Sequence, residues 1–288
     1  MDKRAGQEIF IVKASGERER FSEAKLRLSL EKSSAPPKVV EDIVNHILGE
    51  LREGMTTSEI YRHAFSLLKN YHPPLAARYN LKRAIMELGP EGYLFERFVG
   101  ELLKSKGFKV EMGRPVEGFC VTHEVDVAGE KNDYHIMVEC KFHNSPGSKS
   151  DVKVALYVQA RFEDIERKWR AQPGHGQKFH EAWLVTNTKL TSDAIRYGTC
   201  IGMKVIGWNY PNEESLQNLI EKSGLHPLTC LTTLNNSQKR QLLNQGAILC
   251  KDLVGKTELL KSVGVSQQNI SKVAREIDEL CQKPTLSF

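Results

Sequence analysis

The sequence predicts an α/β fold: a mixed sheet sandwiched between helices, preceded by a mostly helical module with a small β-hairpin and followed by a small helical bundle. Three observations predict it. Between residues 91 and 210 the apolar patterns run helix, hairpin, helix, strand, helix, strand, the order expected when helices pack on a mixed sheet. Before that stretch, one short hairpin signal is followed only by helical periodicity. After about residue 213, apolar residues recur in short helical runs separated by Gly. At 288 residues the chain exceeds one small core, and the pattern divides it into 1–89, 90–212 and 213–288.

In chain order, Ile9–Lys13 reads as a strand, Ala14-Ser15-Gly16 as a turn and Arg18–Phe21 as a second strand. Ser22 is a candidate N-cap for a helix carrying Leu26, Leu28 and Leu30. A second helix is expected over about 38–52, with Val39, Ile43, Ile47 and Leu51 on one face. Thr56-Thr57-Ser58-Glu59 is a capping sequence for a third. Pro73-Pro74 interrupts, a helix covers roughly 75–88, and Gly89-Pro90 marks a boundary. Apolar residues at 94, 95, 98, 99, 102 and 103 then form a helical stripe stopped by Gly107. Strands are expected at 108–112, 119–128 and 134–142, the last two joined by the polar turn 129–133. A helix over 151–169, a buried strand at 182–186, a helix over 192–202 and a strand over 203–208 complete the middle section.

Bulk properties exclude several classes. No run of 18 apolar residues occurs, so no helix is expected to span a membrane. Met1–Gly6 has no apolar run behind it and is not a secretory signal. The six cysteines are scattered without a CxxC pair, which speaks against a cysteine zinc site and a disulfide framework and for a reducing, cytoplasmic location. The net charge of +5 is distributed as +3, −1 and +3 over 1–90, 91–225 and 226–288. That permits a polyanionic partner without requiring one.

The chemistry points to Asp126 and Glu139-Cys140-Lys141. On a strand, 139 and 141 share a face while 140 turns to the core. Asp126, on the preceding strand, approaches Glu139 across the ladder. Two carboxylates at a strand edge suit Mg²⁺ or Mn²⁺, and a neighbouring lysine can orient a water and offset charge on a phosphate. The tripeptide itself carries little information. Four [Asp/Glu]-x-Lys matches occur, at 23–25, 139–141, 151–153 and 166–168, where about two are expected by composition. Only the match at 139–141 follows a strand-like run with an upstream acidic strand. A charged face on a half-exposed strand fits the tripeptide equally well.

Longer blocks extend this reading. Gly92-Tyr93-x-Phe95-Glu96 with Leu102-Leu103…Gly107-Phe108-x-Val110 begins the series. His123–Val127, Glu139-Cys140-Lys141, and Trp183–Asn187…Ala194…Gly202-Met203-x-Val205-Ile206 follow. Residues 91–210 thereby resemble Mrr-type restriction endonucleases, and their first part archaeal Holliday-junction resolvases. The resemblance implies a restriction-endonuclease-like α/β/α sandwich of the PD-(D/E)xK superfamily. It further implies metal on Asp126, Glu139 and Glu96, with Lys141 catalytic and duplex or branched DNA as substrate. Glu124 shares the face of Asp126, which fits a spare ligand, though a surface role is the favoured reading. Tyr157, Gln159 and Arg161 fall on the next helix, and His143 and Asn144 end the strand.

No Gly-x-x-x-x-Gly-Lys-[Ser/Thr] is present, so a P-loop motor is unsupported. Val12-Lys13-x-x-Gly16, Phe21-x-x-x-Lys25-Leu26, Thr57–Ile60 and Ala77–Ile85 make residues 9–88 resemble an ATP-cone, with Ala14 where many such domains carry arginine. That resemblance implies ATP or dATP as a regulatory ligand, with Val12, Lys13, Gly16, Lys25, Arg78 and Lys82 at its site. It also implies control through homo-oligomer assembly, as dimer or tetramer. In the tail, the glycines at 246 and 264 resemble helix–hairpin–helix or SAM-like turns. They fit DNA contact and simple helix caps alike. The expected activity is nucleotide-regulated DNA cleavage. The alternative is a non-cleaving nucleotide sensor that binds nucleic acid or a partner.

Overall fold

Ser22, Thr56 and Asn235 each open a helix with the hydrogen bond that their side chains invite, so local chemistry sets much of the frame. The computed structural model describes residues 8–170 and 179–281. The opening hexapeptide weighed above as a leader lies outside them. Strands β1 (Phe10–Val12) and β2 (Arg18–Arg20) form an antiparallel hairpin. Helices α1 (Glu23–Lys32), α2 (Pro37–Glu50) and α3 (Thr57–Tyr71) follow. The expected single helix over 75–88 is two, α4 (Pro73–Tyr79) and α5 (Leu81–Met86), meeting at Asn80. Pro73 and Pro74 interrupt the helical run, as expected, since α3 ends at Tyr71, and they also start α4, because the first turn has no use for their missing N–H groups.

The central section begins with α6 (Tyr93–Ser105). Five strands then form one mixed sheet in the order β3-β4-β5-β7-β9. They are β3 (Lys109–Glu117), β4 (Thr122–Lys131), β5 (Tyr134–Lys141), β7 (Phe179–Thr186) and β9 (Lys204–Ile206). The first three pair antiparallel, and β5–β7–β9 pair parallel. Helix α7 (Val152–Arg170) and α8 (Ser192–Cys200) supply the crossovers. A two-residue parallel bridge, β6 (Lys149–Ser150) with β8 (Lys189–Leu190), sits beside them. Strand β3 outruns the expected 108–112 because it is the sheet edge. There Pro115 gives up no ladder bond, and Gly113 absorbs a positive φ of 55°. The β4–β5 turn shrinks to Asn132-Asp133, both at positive φ, the two-residue geometry that hairpin twist favours.

Phe95, Phe98, Leu102 and Leu103 of α6 cover one face of this sheet, against Val127, Ile136, Val138, Trp183 and Val185. Ala155, Val158 and Ile165 of α7 cover the other, against Val116, Val125, Met137, Ala182 and Leu184. Helix, sheet and helix therefore stack in three layers. The core under α6 runs on without a break into Ala77, Leu81, Ile85 and Leu88 upstream and into the tail downstream. The first three helices have a core of their own around Leu30, Val44, Ile47, Ala64 and Leu68.

The tail consists of α9 (Leu216–Ser223), α10 (Asn236–Asn244), α11 (Thr257–Ser262) and α12 (Gln267–Cys281), with 3₁₀ turns at Leu228–Cys230 and Cys250–Leu253. Glu276 of α12, 3% exposed, ties it together. Its two oxygens accept from the amides and hydroxyls of Thr232 and Thr233 at 2.6–3.0 Å. Lys239 is buried as well and donates to the Thr229 carbonyl at 2.7 Å. No helix among the described residues is long and apolar enough to cross a membrane.

Candidate functional site

Where β4 and β5 separate, their ladder stops at the pair Val127–Val138. One residue further, the Asp126 carboxylate takes over, and its Oδ2 accepts the Cys140 amide at 2.7 Å. A side chain thus closes the bond that a main-chain carbonyl would otherwise make, and the two strands open at this edge. Strand β5 stays extended because β7 still pairs with it, Glu139 beside Leu184 and Lys141 beside Thr186. Cys140 packs on the core under α6, as alternation requires. Lys141 is exposed. Glu139 meets Arg161 of α7 in an ion pair whose side chains are only 17% and 10% exposed. The second guanidinium nitrogen of Arg161 donates to the Glu124 carbonyl.

Glu96 lies across from this edge on α6. The helix starts at Gly92, whose φ of 85° is costly for any residue with a Cβ. Phe95, next to Glu96 in sequence, packs its ring tilted against Phe142, one residue past Lys141, with centroids 5.6 Å apart. The electrostatics are those of crowded acids. Burial, then the charges of Asp126, Glu139 and Glu124, push Glu96 up to about 7. Burial raises Asp126, opposed by the Cys140 amide and Arg161. Burial and Asp126 raise Glu139, opposed by Arg161 and Lys141. Clustered carboxylate oxygens are donors that suit a hard divalent cation. Asp126, Glu139 and Glu96 do not close on a common point, and Glu139 is instead paired with Arg161 of α7. Among the described residues, a His/Cys/Asp/Glu trio with all ligand atoms within 4.8 Å occurs only at His46, Glu50 and His63.

Several contributors carry little sequence signal. Arg161 is the main one: its only mark is its place on the helix after the motif. Asp164, three residues on, accepts from the Cys120 and Val121 amides and pairs with His123 at 2.8 Å. These contacts hold it down to about 2, His123 contributing most. His123 therefore belongs to α7, while Glu124 is exposed at the site. Tyr157 is 58% exposed, its ring 5.3 Å from the Arg161 guanidinium, and Gln159 bonds Glu163. Beyond Lys141, buried Asn187 accepts from the His143 amide and donates to its carbonyl, pinning the segment at 2.8–2.9 Å. Asn144 donates to the Pro90 carbonyl.

The six residues expected at a nucleotide site divide in two. Val12 donates to the Met55 carbonyl, and Gly16, at φ 83°, closes the hairpin turn. Lys13 pairs with Glu17 and Glu19, and Lys25 pairs with the same Glu19. Hairpin and helix do bring the two lysines together, but around a carboxylate that neutralises them. Lys25, Arg78 and Lys82 instead line a pocket of about 340 Å³ between α1, the α4–α5 pair and Trp208. Lys32, Arg83, Tyr61 and Tyr79 share its wall, and Val12, Lys13 and Gly16 do not. Burial holds the pKa of Arg78 and Lys82 down. The Arg78 guanidinium donates to the Glu279 carbonyl at 3.1 Å. The Lys82 ammonium lies 6.0 Å from the Trp208 ring centre.

Comparison with known proteins gives the following. Residues 226–281 match the AF1548-like C-terminal family. An uncharacterised protein of Archaeoglobus fulgidus is 37% identical over 180 residues, 62% of this chain and 95% of that protein. The crystal structure of AF1548, a protein of unknown function, is 34% identical and superposes with a TM-score of 0.52 over 66% of this chain and 97% of its own. The MspJI restriction endonuclease, solved with a 27-mer oligonucleotide, aligns at 13% identity and a TM-score of 0.29 over 83% of this chain and 48% of that one. An overlap that loose carries no argument about chemistry.

Proposed function

This chain belongs to the AF1548-like family, and from its sheet-edge site we propose that it is a metal-dependent endodeoxyribonuclease under nucleotide control. One observation carries the reading. Acids from three separate elements gather at this edge: the charges of Asp126 on β4 and Glu139 on β5 help raise the proton affinity of Glu96 on α6, and Asp126 helps raise that of Glu139, with exposed Lys141 alongside. That crowding is unfavourable unless a cation offsets it. The PD-(D/E)xK resemblance of residues 91–210 supports the same assignment.

In this mechanism Asp126, Glu139 and Glu96 would hold Mg²⁺ or Mn²⁺, which would supply a water of lowered pKa and neutralise charge on the scissile phosphate. Asp126 closes the end of the β4–β5 ladder by accepting the Cys140 amide. Lys141 orients the attacking water and stabilises the developing negative charge. Arg161 restrains Glu139 on the α7 side of the site. Duplex or branched DNA is the proposed substrate.

The nucleotide is ATP or dATP. The pocket between α1, α4–α5 and Trp208 supports it, since clustered cations suit phosphates and aromatic walls suit a base. Assembly into a dimer or tetramer is the proposed route of control. The restraint of Glu139 by Arg161 favours a second reading, a sensor that binds nucleic acid or a partner without cutting it.

Plasmid, linear and branched DNA are incubated with Mg²⁺ or Mn²⁺, with and without ATP or dATP. Wild type is expected to cleave at least one of them, and Lys141→Ala and Asp126→Ala to abolish cleavage. Cleavage surviving both substitutions overturns the site assignment. Wild type inert on DNA and RNA with either metal favours the sensor.

A further inference from the structure

The geometry points to a second metal site, remote from the acidic edge and independent of the nuclease reading: His46 and Glu50 of α2 with His63 of α3, taking Zn²⁺ or a neighbouring late first-row ion. His46 and Glu50 stand one turn apart on the outer face of α2, while Val44 and Ile47 beneath them are buried. His63 precedes Ala64, which is buried in the same core. The three donors therefore sit on two helices locked by common packing.

Their ligand atoms all lie within 4.8 Å of one another. Glu50 offers one oxygen to each imidazole, 3.3 Å from His46 Nε2 and 2.6 Å from His63 Nδ1. Donors bound about 2.0–2.1 Å from a tetrahedral Zn²⁺ stand about 3.3 Å apart. The first contact matches that spacing and the second is shorter. The two imidazole ligand atoms lie within 4.8 Å of each other, and side-chain rotation can bring these distances to a common ion. Two imidazoles and one carboxylate form a borderline donor set that prefers Zn²⁺, Ni²⁺, Co²⁺ or Cu²⁺ to Mg²⁺.

The pairing pattern around Glu50 is the second observation. Neighbouring acids take guanidinium partners: Glu41 pairs with Arg27, Glu53 with Arg18 and Glu59 with Arg52. Among the described residues, Glu50 forms ion pairs with histidines alone. The three side chains are 47%, 45% and 42% exposed, open enough for an ion to enter and keep a water.

The test uses tag-free, full-length protein stripped with chelator and titrated with Zn²⁺ by calorimetry, with thermal melting in parallel. Wild type is expected to bind one Zn²⁺ per chain and to melt higher with it, and Asp126→Ala to behave the same. His46→Ala, His63→Ala and Glu50→Gln are expected to lose the melting shift and to weaken binding by at least about tenfold. Unchanged Zn²⁺ affinity in the two alanine variants places the metal elsewhere, on thiols for example, and overturns the inference. So does a wild type that takes up no Zn²⁺ at micromolar concentration.

Discussion

Replacing Arg161 with Met tests whether the sheet-edge charges are as desolvated as the structure has them. Arg161 is 8% exposed and spans two partners, the Glu139 carboxylate and the Glu124 carbonyl. Met fills most of the stem's volume but leaves Glu139 without its guanidinium in a nearly dry setting. Truncating one member of a buried pair costs about 3–5 kcal/mol, most of it from the stranded charge. Glu139 retains 17% side-chain exposure, so the lower end, about 3 kcal/mol, is the expected loss. For a chain of this size that lowers the melting midpoint by about 6–12 °C. The decisive comparison is Arg161→Met with Glu139→Leu in one chain, which removes both charges and returns stability to within about 1 kcal/mol of wild type. Urea denaturation of both single variants and the double variant, without divalent ions, gives the coupling directly. A loss below about 1 kcal/mol for Arg161→Met, or additive single effects, refutes the reasoning.

Glu96 gives a pH signature with the opposite sign to most acids. Its folded pKa, about 7, lies above the ordinary 4.5, so the folded state binds the extra proton and stability falls as pH rises from 4.5 toward 7. Glu96→Gln removes this and, measured by urea denaturation without metal, is expected to gain on wild type at pH 8 relative to pH 5. Glu96 is half-exposed, so screening limits the difference to about 1 kcal/mol; equal effects at both pH values contradict it. In the N-terminal module, Lys82→Ala is expected to weaken ATP or dATP binding at least about tenfold in a fluorescence titration, the loss of one phosphate-directed cation. Glu19→Gln, which releases Lys13 and Lys25, is expected to strengthen it; the opposite order moves the ligand out of the pocket. Glu276→Leu strands four donors from Thr232 and Thr233, and a loss of about 3 kcal/mol or more is expected by urea denaturation; a loss under 1 kcal/mol contradicts the bonding described.

Elements whose signals are local were the legible ones. Ser22 and the Thr56–Glu59 box announce their helices because capping is settled within four residues. The stripe at 94–103 announces α6, whose burial period is its own. Asp126 and Glu139 were legible as a pair because a hairpin fixes which residues face each other. What escaped depends on partners distant in sequence. Arg161 is unremarkable on its helix, and only the fold brings it to Glu139, 22 residues away. The same applies to Asp164 with His123, 41 residues apart, and to Glu276 with Thr232, 44 residues apart. Glu19 misled in the other direction. The spacing of Lys13 and Lys25 suggests a cationic pocket, but an alternating strand places an acid between them.

The pocket and the acidic edge are joined by packing with little room to give. Helix α5 carries Lys82 and Arg83 into the pocket and ends at Met86, whose sulfur accepts from Asn187 at 3.1 Å. Asn187 in turn clamps both main-chain groups of His143, two residues after Lys141. Three residues past Met86, Gly89 passes so close to Phe142 that an added Cβ would lie 2.5 Å from its ring. Phe142 follows Lys141 in sequence and packs tilted against Phe95, the neighbour of Glu96. A ligand that shifts α5 would press on Phe142 and Asn187, since close-packed side chains transmit displacement. The two groups that receive the displacement are Lys141 and Glu96. Control exerted from the pocket would consequently act on the lysine and on the third acid, while Asp126 and Glu139, held by the Cys140 amide and Arg161, stay in place.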